Sequence, residues 1–294
     1  MLKLVEKLHK HLEESRFQGK EKSIDRARRR GKLLARERIE LLLDQDSTFL
    51  ELLPLAGMQK KGGFGAGGTS VSGIGLVAGK LCMINSNVGT RKGGSVDYTT
   101  VYKGFRVGQI TRECRLPTIN MVESGGANLP DQAKIFNVGG EGFREITRRS
   151  EMGIPTISVV FGNATAGGAY IPGMSDYAIF QKQAAKVFLA GPPLVKMATN
   201  EDATDEELGG AEMHSRVSGS TAGSSTTSTA CGKVPTYDAV GNQQLARTGT
   251  FAILNASTHS SSCISTNRAV FHNQRAVPMM NAPTTITSIT RNGR

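Results

Sequence analysis

The sequence predicts an α/β protein, on three observations. Short β-branched apolar runs are repeatedly closed by glycine pairs, amphipathic stretches separate those runs, and two of the runs are near copies of each other. The copies are residues 116–130 and 154–172. Each opens Pro-Thr-Ile (Pro117-Thr118-Ile119 and Pro155-Thr156-Ile157) and continues as an apolar run. Each closes in Gly-Gly-Ala (Gly125-Gly126-Ala127 and Gly167-Gly168-Ala169), with a proline three residues further on. An apolar run bounded by proline and glycine reads as a buried strand. The glycine pair lets the backbone turn tightly and come close to a bound group. Strand, glycine turn and helix in repeated alternation point to stacked βα units.

Taken in order, residues 2–43 read as helix, because Leu33, Leu34, Ile39, Leu41, Leu42 and Leu43 form an apolar stripe among charged residues. Gly19 and Gly31 break it into pieces, giving a helical arm that packs on a partner or on its own domain. Phosphate contact by Arg28, Arg29 or Lys32 is the other reading of that arm. Phe49–Leu52 is a first short strand. The loop 60–68 is glycine-rich but lacks the Gly-Lys-Ser/Thr ending of a phosphate loop, so it is expected to be a linker. Strands over 70–76 and 81–85 are joined by a hairpin turn at Ala78-Gly79-Lys80. A further glycine pair with two cations follows at Arg91-Lys92-Gly93-Gly94. Helices are expected over 101–114 and 143–152, strands over 178–183 and 186–190, and a helix from Pro193, since proline suits the first helical turn. Residues 202–209 form an acidic turn or helix start, and His214, after a further Gly-Gly-Ala, is expected to be a hydrogen-bonded structural residue.

The bulk composition excludes several classes. At 294 residues, 38% hydrophobic, without tryptophan, the chain suits one large or two ordinary domains. No apolar run approaches the roughly 18 residues of a membrane span, and the charged N-terminus lacks a signal-peptide core. Four dispersed cysteines without a Cys-x-x-Cys pair suggest a reduced, cytoplasmic setting and no zinc site. The net charge is +11. Six basic residues and one acidic residue fall after Gly219, which leaves 30 of the 36 basic and 24 of the 25 acidic residues before it, a net of +6. Much of that excess sits in residues 26–32. No aromatic residues interleave with it, so it suits a phosphate-bearing small molecule or an acidic subunit face better than nucleic acid.

No Ser-His-Asp set or carboxylate pair stands out. What stands out is main chain: two N–H groups at a glycine turn beside a helix N-terminus can hold negative charge developing on oxygen. The alternative is that both glycine pairs only permit close strand–helix packing.

Four ordered motifs turn this into a family resemblance: Val122-Glu123-Ser124-Gly125-Gly126-Ala127, Ala166-Gly167-Gly168-Ala169-Tyr170, Phe188–Lys196, and Leu208-Gly209-Gly210-Ala211-Glu212-Met213-His214. With Arg30–Ile39, they resemble the carboxyltransferase (beta) subunit of biotin-dependent acyl-CoA carboxylases of the methylcrotonyl-CoA and propionyl-CoA type, nearly continuously over residues 28–219. The resemblance implies a crotonase-like spiral of ββα units carrying the acyl-CoA half of the enzyme. It also implies carboxybiotin delivered on a biotin carboxylase or carrier partner, and a homo-oligomer of beta subunits. In that family CO2 is released from carboxybiotin in the active site, the biotin ureido group is thought to take the α-proton, and the acyl-CoA enolate attacks the CO2. The matched positions imply that the amides of Gly167 and Gly168 hold the enolate oxygen. They make Ser124, Gly125, Gly126, Ala127, Ala166, Ala169, Tyr170 and Lys92 the substrate-contacting residues.

Beyond Gly219 the resemblance is expected to stop. Residues 220–294 hold 23 Ser and Thr, no Glu and no sustained periodicity, the composition of a disordered segment. Ser225-Thr226-Thr227-Ser228, shifted by two bases, can be read as the Asp-Tyr-Phe element that the family has at this place, so an out-of-frame tail is one reading and a natural weakly ordered tail the other. Three segments are therefore expected: a helical arm (1–45), an acyl-CoA carboxyltransferase N-terminal domain (46–219) and the tail (220–294). Such a chain is expected to bind CoA thioesters and not to complete carboxyl transfer alone. No Ala-Met-Lys-Met biotinylation motif is present. The alternatives are a non-catalytic acyl-CoA-binding or assembly module, and a CoA-thioester decarboxylase subunit.

Overall fold

The computed structural model describes residues 1–58, 64–218 and 223–225. The N-terminal arm is three helices: α1 (Leu2–Ser15), α2 (Glu21–Arg29) and α3 (Ala35–Leu42). The breaks fall at the expected glycines, both at positive φ (Gly19 at 142°, Gly31 at 66°). At Gly19 the fit is tight as well, since a Cβ would stand 2.8 Å from the Thr90 carbonyl oxygen. α1 leaves Leu2, Leu4 and Leu8 exposed, while α3 buries Ala35, Ile39 and Leu42 against the chain's own sheet.

Three strands open that sheet, β1 (Leu50–Leu52), β2 (Ser70–Val77) and β3 (Lys80–Asn87), all antiparallel. The β2–β3 turn is the two-residue Ala78-Gly79, with φ of 49° and 72°. Positive φ at both positions gives the mirror-image turn whose twist matches a hairpin. The Asp44 carboxylate accepts both turn amides at 2.7 Å, which helps hold Ala78 in its left-handed conformation.

The chain then switches to parallel addition. α4 (Tyr98–Glu113) leads to β4 (Thr118–Ser124), and α5 (Gln132–Glu151) leads to β5 (Thr156–Thr165). α4 begins three residues before the expected Val101 because buried Asp97 caps it, accepting from the Thr100 amide (2.9 Å) and hydroxyl (2.6 Å). α5 is twice the length expected. Gly139, Gly140 and Gly142 obscure its periodicity, each costing about 1 kcal/mol of helix propensity. They face open space, and the helix is held by buried Ile135 and Ile146 and by the ion pair of Glu145 with Arg112 of α4 (2.6 Å). After α6 (Tyr170–Gly173), β6 (Tyr177–Gln181) joins β5 in parallel, and β7 (Lys186–Phe188) pairs with the last three residues of β5. α7 (Pro192–Thr199), α8 (Asp205–Gly209) and α9 (Ala211–Met213) follow. β8 (Gly223–Ser225) adds beside β6 within the stretch expected to lack regular structure. The rest of that stretch lies outside the described residues.

Among the described residues the sheet runs β1-β2-β3-β4-β5-β6-β8, with helices on both faces. Alternation along β3 assigns the faces: Cys82 and Ile84 pack with α3, while Met83 points the other way, to Val107 of α4 and to Leu116. β4 and β5 are buried almost throughout, as strands covered on both sides must be.

Candidate active site

The duplicated stretches become neighbours. β4 and β5 lie parallel with the copies in matching register: Thr118 opposite Thr156, Ile119 opposite Ile157, through Val122 opposite Val160, then Ser124 opposite Ala164 after an irregularity. Both glycine turns therefore leave the same edge of the sheet and press against each other. At Gly126, with φ of 83°, a Cβ would stand 2.9 Å from the Thr165 carbonyl oxygen. At Gly168 it would stand 3.1 Å from Ser124 Cβ and 3.2 Å from its Oγ. Larger residues would separate the turns.

The two turns spend their amides differently. In the first, Gly125 N–H donates to Gly93 O (2.9 Å). Ser124 Oγ donates to Gly94 O (3.1 Å) and accepts from Gly126 N–H (3.2 Å). Val96 N–H closes on Gly126 O and Asn128 N–H on Val96 O, both at 2.8 Å. This turn is a structural splice that holds residues 93–96 against β4. The second turn is a tight 3₁₀ helix, Ala166–Ala169, running into α6. In an i→i+3 pattern the first amides, here those of Ala166 and Gly167, have no acceptor inside the turn. Ala166 and Gly167 are exposed, whereas Gly168 and Ala169 are buried. Ala166 sits at φ of 51°, a conformation that costs a non-glycine residue about 1–3 kcal/mol and gathers at functional sites. Tyr170 is half exposed beside this turn, its ring centroid 4.9 Å from that of Phe143.

A basic cleft of about 940 Å³ adjoins the turns, within the size range of small-molecule sites. Its walls come from α2, the α2–α3 connection, Phe64 and Gly65, residues 89–93, Glu123 and Asn163. Lys92 is on this wall, and Gly93 links it to the first turn. Residues 125–127 and 166–170 lie beyond it. Phe64 and Gly65 make the expected linker part of the wall. Seven cations line the cleft against one carboxylate, Glu123. Three are engaged: Arg91 donates to the Phe17, Ala66 and Gly68 carbonyl oxygens, and Lys32 and Arg38 both bind Glu123. Among the described residues Lys20, Arg26, Arg30 and Lys92 make no ion pair, which leaves the cleft strongly cation-rich. Burial pushes the Glu123 carboxyl up, but Arg38 and Lys32 outweigh it and hold it below the usual carboxylate range.

Arg28 points its guanidinium at Glu37 instead, and neither Arg28 nor Arg29 lines the cleft; Lys32 does. Arg26 and Arg30 belong to the basic run 26–32 expected to suit a phosphate-bearing molecule, though Arg28, Arg29 and Lys32 were the ones expected to make the contact. The signal for Arg26 and Arg30 was present: Ser23, Arg26, Ala27 and Arg30 follow the i, i+3, i+4, i+7 spacing of one helix face, and all four line the cleft. His214 stays structural, its Nε2–H donating to Val187 O (2.8 Å) and its ring edge-on to Phe180.

The carboxyl transferase domain family model matches residues 26–233, running past the boundary expected at Gly219. The probable biotin-dependent acyl-coenzyme A carboxylase beta2 subunit of Mycobacterium tuberculosis is 58% identical over 201 residues, covering 68% of this chain and 38% of that protein. The probable mitochondrial methylcrotonoyl-CoA carboxylase beta chain of Drosophila melanogaster is 50% identical over 208 residues, covering 69% and 36%. Among solved structures, transcarboxylase 12S with methylmalonyl-coenzyme A and methylmalonic acid bound superposes with a TM-score of 0.71 at 29% identity, covering 79% of this chain and 46% of that one. The chain thus spans less than half the length of these relatives. No helix among the described residues is long and apolar enough to cross a membrane.

Proposed function

The chain belongs to the carboxyl transferase domain family, whose crotonase-like α/β fold it shares, and from that premise we propose that it is the acyl-CoA-binding part of a biotin-dependent acyl-CoA carboxylase. The observation that carries this reading is the juxtaposition of two features. The 3₁₀ turn Ala166–Ala169 lies at the end of β5, and the first turn, packed against it, is bonded to Gly93 on the wall of a cleft in which four cations make no ion pair among the described residues. A CoA thioester needs both. Its phosphates require positive charge, and its carbonyl oxygen requires preorganised N–H donors as it becomes an enolate.

In this reading the amides of Gly167 and Gly168 face the thioester oxygen. Gly167 is foremost because it is exposed and its N–H has no acceptor inside its turn. Ala166, Ala169 and Tyr170 shape the approach, and the Ser124–Ala127 splice fixes the distance between turn and cleft. Lys92, Arg26 and Arg30 meet the phosphates. Removing one amide donor from such a hole costs about 2.7–4 kcal/mol of barrier stabilisation. Carboxybiotin would arrive on a partner subunit and supply the carboxyl group, and further copies of the chain would complete the assembly.

Isothermal titration with 3-methylcrotonyl-CoA, propionyl-CoA and CoA tests the reading, together with the infrared stretch of a ¹³C-labelled thioester carbonyl. Acyl-CoA should bind more tightly than CoA, and the carbonyl stretch should fall on binding, as amide donors polarise the bond. An unshifted carbonyl with tight binding would leave an acyl-CoA-binding module and defeat the oxyanion role. No binding would defeat both.

A further inference from the structure

Glu123 is the penultimate residue of β4, immediately ahead of the Ser124–Ala127 splice, and the single carboxylate on the cleft wall among the described residues. Lys32 Nζ donates to its Oε1 (2.5 Å) and Arg38 Nη2 to its Oε2 (2.8 Å). The two cations differ in setting. Arg38 is 2% exposed and lies over the Phe161 ring, 4.4 Å from the centroid, whereas Lys32 is 27% exposed and faces the cleft. A guanidinium buried that deeply requires a paired anion. The carboxylate is also fitted sterically: a Cβ at Gly89 would stand 2.6 Å from its carboxyl carbon, and one at Gly162 would stand 3.0 Å from Oε1. Its backbone N–H donates to Asn87 Oδ1 (3.2 Å).

We propose that Glu123 is a positioning residue that ties the basic cleft to the glycine turns: Arg38 anchors it from the core side, Lys32 from the cleft side, and the Ser124–Ala127 splice takes its place from the end of β4. The proposal rests on the acyl-CoA reading. Lys32 is the member an incoming phosphate can share, so phosphate occupancy is felt at the residue that sets the turns. Loss of the carboxylate therefore acts in opposite directions at the two ends of the ligand. The cleft becomes more positive, so a phosphate-bearing fragment binds as well as before or more tightly. The turns lose their fixed end, so the extra affinity contributed by the thioester is lost.

The test is titration of the full chain with adenosine 3′,5′-bisphosphate and with 3-methylcrotonyl-CoA, for wild type and Glu123→Gln. The preference for the thioester over the fragment should fall about tenfold in Glu123→Gln, with fragment affinity unchanged or raised. A merely structural role would lower both affinities together, and that outcome overturns the proposal. A preference that survives intact in the variant overturns it alone. A wild type that binds the fragment without any thioester preference overturns the acyl-CoA reading and this role with it. Should Glu123→Gln fail to fold, Lys32→Met leaves the buried Arg38 pair in place. Its thioester preference should fall about threefold, the scale of a part-exposed ion pair, and an unchanged preference overturns the proposal.

Discussion

Arg26 on α2 and Arg30 at its C-cap stand about one turn apart, α2 has no buried residue, and no carboxylate partner reaches either arginine among the described residues. Replacing each by Gln removes one charge from the cleft without touching the core, so stability should move by less than about 0.5 kcal/mol. The binding cost follows from Coulomb's law. Unit charges 4 Å apart attract by about 1 kcal/mol in bulk water and about 4 kcal/mol at the effective dielectric of a protein surface. A half-open cleft lies between, and part of the gain is spent on desolvation, which leaves about 1–2 kcal/mol per arginine, or roughly five- to thirtyfold in Kd. Titration of adenosine 3′,5′-bisphosphate should therefore show each single variant about tenfold weaker than wild type at low salt. The double variant should be weaker still, and the differences should shrink as salt shortens the Debye length below about 10 Å. Arg28→Gln is the internal control, because that guanidinium is already spent on Glu37 and points away from the cleft. The reasoning fails if Arg26→Gln and Arg30→Gln bind as wild type does, or if Arg28→Gln weakens binding to the same degree.

Gly168→Val drives a side chain into Ser124, 3.1 Å away at the Cβ, and should abolish the thioester carbonyl shift while costing about 1–3 kcal/mol of stability through overpacking. Gly167→Ala, whose Cβ meets nothing nearer than Phe143 Cζ at 3.8 Å, should keep both shift and fold. A Val variant with the wild-type shift would refute the placement of the hole. Lys103, buried under the β2 approach and donating to Gly67 O and Ser70 O, has its pKa pushed down to about 8 by burial. Between pH 8 and about 10.4 the unfolded chain then binds more protons than the folded one, so this group adds stability as pH rises, up to about 3 kcal/mol. Below pH 8 its penalty is fully present. Cys82, pushed up to about 12 by burial, acts in the opposite sense above pH 9. The quantity to measure is therefore the wild-type urea midpoint minus that of Lys103→Met at pH 7.5 and 9.5; it should rise with pH, and a value that stays level or falls would contradict the assignment. Asp97→Ala removes a buried cap from α4 and should cost about 1 kcal/mol by the same urea assay, and an unchanged midpoint would mean the cap is dispensable.

How far the sequence reaches is clearest at the twin motifs. Their shared Pro-Thr-Ile opening starts both strands in one register, but the second copy is four residues longer before its glycine pair, and the pairing shifts after Val122 to absorb the difference; the hairpin at Ala78-Gly79 was equally local. The full length of α5 was not legible, because three glycines hide its period while buried Ile135 and its contacts with the rest of the fold sustain it. The cleft was least visible. Arg26 and Arg30 sit on one helix face, but nothing local says which way that face turns, and Glu123 meets Lys32 and Arg38 across 91 and 85 residues. Nor does the likeness of the two turns disclose their difference, which depends on what lies opposite each. The first turn meets residues 93–96 and gives its amides to them. The second follows directly on the Thr165–Phe188 pairing of β5 with β7 and turns at once into a 3₁₀ helix, whose first amides have no acceptor inside the turn and whose first residue, Ala166, carries the strained φ. The two turns share one motif, and the neighbour that the first of them meets makes it the brace for the other.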